Sequence, residues 1–185
     1  IYRKNLMCVY FTKTYKEHYA CFACQKTYKR RLWLDIKKGN KENSPAVCPQ
    51  CATDMASMGK DFESPKQKDN KAWQHLKNMY EVGITFHSCG CTGPGYIPRD
   101  QEALLQYFEK IKTDYFKELT FWRYRVEPET KQDRITDEQR NWNKLSSVNS
   151  NYKKIIVKNQ EGMDYWLERI LLIEKKINTI KGQQA

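Results

Sequence analysis

Two cysteine pairs constrain this chain more than anything else in it. Cys21 and Cys24 stand as C-x2-C, and after 23 intervening residues Cys48 and Cys51 repeat the spacing as C-P-x-C. Zinc asks for a tetrahedron of soft or borderline ligands, and a C-x2-C turn aims both of its sulfurs at one point. The separation suits two hairpin knuckles facing each other, with Pro49 stiffening the second. The spacing therefore predicts a structural Zn2+ on Cys21, Cys24, Cys48 and Cys51. Such a site contributes roughly 10–16 kcal/mol at neutral pH, enough to fold a segment with little apolar core. A redox C-x-x-C would need a βαβ setting, which the surrounding residues do not offer. Seven cysteines, an odd number with four in metal spacing, suit a reducing compartment better than a disulfide scaffold.

Positive charge crowds the first pair. Lys26, Lys29, Arg30 and Arg31 follow it, and Lys37, Lys38 and Lys41 precede the second pair. Residues 1–60 carry twelve Lys/Arg against four Asp/Glu, whereas residues 61–185 carry 21 against 18. Asymmetry of this sign points to a polyanion partner for the first third. Metal-fixed hairpins would hold the cations on a rigid support, where phosphate contacts need less ordering. Tyr28 and Trp33 are interleaved with them and are of the type that stacks on unpaired bases. For Trp33, cover over the metal and the small core is the favoured role. The expected RNA-binding set is Lys26, Tyr28, Lys29, Arg30, Arg31, Lys37, Lys38 and Lys41.

Cys21-Phe-Ala-Cys24 with Lys26 and Tyr28 after it, and Cys48-Pro-Gln-Cys51, resemble the zinc ribbons of ribosomal proteins, transcription factors and nucleic-acid enzymes. The resemblance covers about residues 15–55. It implies a structural metal and basic hairpin tips that lie on nucleic acid. Residues 58–66, MGKDFESPK, are similar to a stretch in bacterial zinc-ribbon proteins.

Outside the cysteine pairs the chain reads as short strands, then a linker, then helices. Loose alternation before Cys21, and again in TYKRRLWLDI, permits short strands. Residues 55–70 show no sustained period and read as a linker. Trp73, Leu76 and Tyr80 then mark a short amphipathic helix that Gly83 stops. Asp100 caps a longer one striped by Leu104, Phe108, Ile111, Tyr115, Leu119 and Trp122. Thr136 with Gln139 reads as a capping box for a third helix, striped by Trp142, Leu145, Tyr152 and Ile156. Gly162 interrupts. Met163, Trp166, Ile170, Ile173, Ile177 and Ile180 then recur at alternating spacings of three and four, a seam that wants a helical partner and suits a hairpin over about residues 136–181. The expectation is an α+β protein: a zinc ribbon with its basic hairpin at 1–58, a linker, short helix and Gly/Pro-rich cysteine loop at 59–98, and a helical region at 99–185.

A second metal site is conceivable from His87, Cys89 and Cys91, with Cys8, His18 or His75 completing it, although i, i+2 sulfurs in a strand point apart. Deaminase, H-E-x-x-H and P-loop patterns are absent, so no enzyme and no small-molecule substrate are expected. No run of some 18 apolar residues suggests a membrane span, and no signal-type segment opens the chain. The favoured reading is a cytoplasmic RNA-binding protein of a ribonucleoprotein particle such as the ribosome, with neighbouring proteins as further partners of the C-terminal helices. The ribosome step is analogy, from the ribbon resemblance and a mean hydropathy of −0.88. The rivals are a protein-interaction adaptor in a transcription or other assembly, and a metal-assisted nuclease or other hydrolase using His87 and Cys89.

Overall fold

The computed structural model describes residues 16–31, 46–88, 93–152 and 157–182. Among the described residues three antiparallel strands precede four helices, so the fold is α+β. The chain divides into two compact units, residues 1–101 and 102–185.

In the first unit, β1 (Lys16–Cys21) and β2 (Lys26–Arg31) form a hairpin in which Lys16 pairs with Arg31 and Cys21 with Lys26. The first C-x2-C is the tip of that hairpin. β3 (Ala56–Gly59) adds to the free edge of β1, giving the order β2-β1-β3. This strand falls where the sequence suggested a linker. Ala56, Ser57 and Gly59 are too small to announce a period, and the strand exists because β1 offers a ladder to pair with. A register shift at His18/Tyr19 bends β1.

Side chains alternate across the sheet. His18 and Ala20 look to the face where Phe62 packs, with His18 and Phe62 meeting edge-on at 6.1 Å. Glu17, Tyr19 and Cys21 look to the other. Gly59 has φ +93, and a Cβ there would stand 2.6 Å from the backbone of Phe86 and His87. Glycine is what lets that segment lie against β3, held by Phe86 N–H to Met58 O at 2.8 Å. α1 (Asn70–Glu81) is capped by Asp69, whose carboxylate accepts from Ala72 N–H, and buries Trp73, Leu76 and Met79. Gly83, at φ +83, ends it as expected.

The second unit contains α3 (Lys131–Tyr152), α4 (Asn159–Gly182) and, from residue 102 on, α2 (Gln101–Tyr124). The isoleucine seam is buried within this unit. Its main partner is α2 rather than α3. Lys112 pairs with Glu174 at 2.8 Å, Lys181 with Glu109 at 3.6 Å, and Tyr115 packs on Trp166, an antiparallel run of contacts. α3 joins through Leu145 and Val148. Gly162 does not interrupt α4: it lies inside the helix, and a Cβ there would meet the Trp122 indole at 2.1 Å. α3 begins earlier than its sequence signal. The reciprocal cap is Thr130 with Asp133, and the Thr136 hydroxyl instead donates to Gln132 O. Trp142 is exposed, not part of a buried stripe. Non-helical dihedrals at Asn141 kink α3 there. Among the described residues no helix is long and apolar enough to cross a membrane.

Candidate metal centre

Each knuckle is the same five-residue turn. In Cys21–Gln25 and in Cys48–Ala52 the residue after the second cysteine adopts a left-handed conformation, φ +51 at Gln25 and φ +59 at Ala52. That turn folds the chain back so that both sulfurs of a pair point inward. The second knuckle is closed by Ala52 N–H to Cys48 O at 2.9 Å and Cys48 N–H to Thr53 O at 2.8 Å, above the bridge between Val47 and Asp54.

The four sulfurs converge, all within 4.8 Å of one another. Cys21 and Cys51 are 3.5 Å apart, and no disulfide joins any of the four. A tetrahedral zinc with Zn–S bonds of about 2.3 Å spaces its sulfurs about 3.8 Å apart, so the set fits such an ion. Among the described residues no other group of three or more His, Cys, Asp or Glu converges in this way.

The thiols differ in proton affinity. Thr53, through its hydroxyl 3.0 Å from Cys51 Sγ and its backbone N–H, lowers Cys51 to about 6. Burial pushes Cys48 up, but the N–H groups of Cys51 and Gln50 outweigh it and lower the thiol overall. Cys24 is raised to about 12, chiefly by its hydrogen bond with Cys51 and then by burial. Thiolates are the metal-binding form, and two of the four are held toward it by the protein's own donors.

Tyr28 is half-buried against Cys21, Cys48 and Met55, its hydroxyl 3.9 Å from Cys48 Sγ. Burial, with Cys48 beside it, raises that phenol above its usual range. Tyr28 thus covers the sulfurs in this structure. Lys26 Nζ donates to Gln50 Oε1 at 2.6 Å and Arg30 Nη2 to Val47 O at 2.8 Å, so both cations reach across to the second knuckle. Lys29, exposed, stands on the opposite face of β2 with Thr27. Arg31 closes β2 opposite Lys16. Lys37, Lys38, Lys41, Trp33, Cys8, Cys89 and Cys91 lie outside the described residues.

His87 has partners other than a metal. Its Nδ1 is 3.2 Å from the buried Glu17 carboxylate, and its Nε2 is 3.4 Å from Ser57 Oγ. Neither Glu17 nor Ser57 carried a signal in the sequence. The strand pairing that brings them to one face is long-range, and β3 was read as linker. His18 and His75 each face a backbone carbonyl, Gly59 O at 3.2 Å and Pro98 O at 3.0 Å. No protein-family model matches the chain, and searches of curated proteins and of solved structures returned no match.

Proposed function

We propose that the chain is a zinc-ribbon RNA-binding protein, a component or accessory of a ribonucleoprotein particle such as the ribosome. In this reading Cys21, Cys24, Cys48 and Cys51 hold a structural Zn2+. The observation that carries it is the four-sulfur cluster at the tip of a hairpin whose next strand is KTYKRR. An all-sulfur tetrahedral set selects zinc or iron over hard cations, and nothing in the surroundings asks for electron transfer. The ion crosslinks two turns that have little apolar core between them. Lys26 and Arg30 add to that crosslink while carrying charge, and Lys29 projects from the far face of β2. Cations held in this way displace counterions from phosphates without first being ordered.

Filter binding of ribosomal RNA across a salt series tests the reading. Binding is expected to weaken linearly in log–log form, and Lys29→Ala is expected to lower the slope by about one. A flat salt response overturns it. That outcome favours an adaptor, which the exposed Leu167, Leu171 and Leu172 on α4 support as a second reading.

A further inference from the structure

The sheet face that carries Cys21 also carries a constellation outside the metal centre. β1 supplies Glu17, β3 supplies Ser57, and the segment held over Gly59 supplies His87. Glu17 is 7% exposed, deep for a carboxylate, and its second oxygen accepts a hydrogen bond from the Tyr19 hydroxyl at 3.0 Å. A carboxylate pinned in this way fixes whatever it faces. It faces His87 Nδ1 at 3.2 Å, which places the ring proton on Nδ1 and leaves the Nε2 lone pair toward Ser57 Oγ at 3.4 Å. Serine, imidazole and carboxylate in this order, with the carboxylate buried and the serine half-buried, are the parts of an activated oxygen nucleophile. A contact of 3.4 Å is in the range that such pairs show before substrate tightens them. The bend in β1 at His18/Tyr19 and the missing Cβ of Gly59 are the two backbone features that allow the three to meet.

We propose that Ser57, His87 and Glu17 form a nucleophilic acyl-transfer site acting on small activated carboxylic esters. Ser57 Oγ attacks the ester carbonyl carbon as its proton passes to His87 Nε2, forming an Oγ–C bond. The tetrahedral adduct collapses with cleavage of the ester C–O bond, and the Nε2 proton goes to the departing alkoxide. Water then gives a proton to Nε2 and its oxygen to the acyl carbon, the Oγ–C bond breaks, and Ser57 regains its proton. The products are one acid and one alcohol, with no change of oxidation state. Glu17 touches only the imidazole and is a positioning residue. The site is independent of the RNA-binding reading, since none of its three residues belongs to the basic set.

The test is treatment of the full purified chain with an alkyl fluorophosphonate, read by intact mass and peptide mapping, with p-nitrophenyl butyrate turnover measured in parallel. One adduct per chain on Ser57 is expected, absent in Ser57→Ala. His87→Ala should slow labelling by about 100-fold or more, the usual scale of a lost general base. Glu17→Gln should lower the maximal labelling rate while leaving the probe's reversible affinity unchanged, and Glu17→Asp should recover part of the loss. His87→Ala alters an exposed side chain and Ser57→Ala removes a single oxygen from a half-buried one, so they remain informative where a change at buried Glu17 harms folding. Labelling only at residues other than Ser57, or labelling of Ser57 at an unchanged rate in His87→Ala, overturns the proposal.

Discussion

Gln25 and Ala52 show what a turn that brings two cysteine sulfurs together asks of single residues. A left-handed backbone costs an L-residue about 1–2 kcal/mol, and both positions accept that cost to turn the second sulfur of each pair inward. Gln25 recovers part of it through a hydrogen bond to Asn70 Oδ1 at 3.0 Å, while a methyl group offers Ala52 no such bond. Ala52→Gly is therefore expected to stabilise the protein by about 0.5–1 kcal/mol, the relief at φ +59 exceeding the extra freedom of the unfolded chain. A thermal melt of the metal-loaded protein should show a rise of a few degrees. The cysteine cluster itself was plain in the sequence because a candidate metal site of this kind is local and encoded in spacing. The partners of His87 were not, because Glu17 is 70 residues away in the chain and Ser57 is 30 away, and no periodicity links such positions.

At the level of elements, the helices were readable wherever an apolar stripe ran unbroken. Leu104, Phe108, Leu119 and Trp122 announced α2, and Trp166 to Ile180 announced α4. The start of α3 was misplaced because Thr136–Gln139 imitates a cap, whereas Thr130 and Asp133 make the bonds. Its neighbour was misjudged too, since a seam specifies an apolar partner but not which of two helices provides it. Arg125 shows what holds the α2–α3 connection. Its side chain is 5% exposed, and its guanidinium meets Asp137 at 2.6 Å, donates to Asn159 Oδ1 at 2.8 Å and lies over the Trp122 ring. Arg125→Ala leaves the half-buried Asp137 carboxylate with Asn141 but no countercharge and is expected to cost about 1–3 kcal/mol in denaturant unfolding. Burial alone would raise Asp137; Arg125, with Asn141, outweighs it and holds the carboxyl below its ordinary value. A depressed carboxyl stabilises the fold above the unfolded pKa of about 3.9, and this stabilisation is lost as pH falls through the lower folded value. In Arg125→Ala that step in an acid titration of stability should shrink.

For the whole molecule, the two units rest on different physics. Among the described residues, the first unit combines a three-stranded sheet and one helix with four converging thiols, whereas the second buries aromatics and isoleucines along three helices. Removal of metal by a strong chelator should therefore act unevenly. Near-ultraviolet signals and amide-exchange protection from residues 16–31 and 46–59 are expected to collapse, while protection along α2 and α4 persists. Exchange followed by mass spectrometry checks this, and uniform loss along the chain would contradict it. The composition could foretell such a division, because a mean hydropathy of −0.88 leaves too little apolar surface for one large core.

The indole of Trp122 over Gly162 has one more consequence. Isoleucines at 170, 173, 177 and 180 repeat every seven residues, so a helix pair built on them alone would tolerate sliding by a heptad. The notch works as a detent: ahead of that repeat, α4 is thin enough to admit a bulky ring only where its Cβ is missing. The charged couples at 112/174 and 109/181 then mesh at a single axial setting, and the bundle keeps one alignment instead of a family of them.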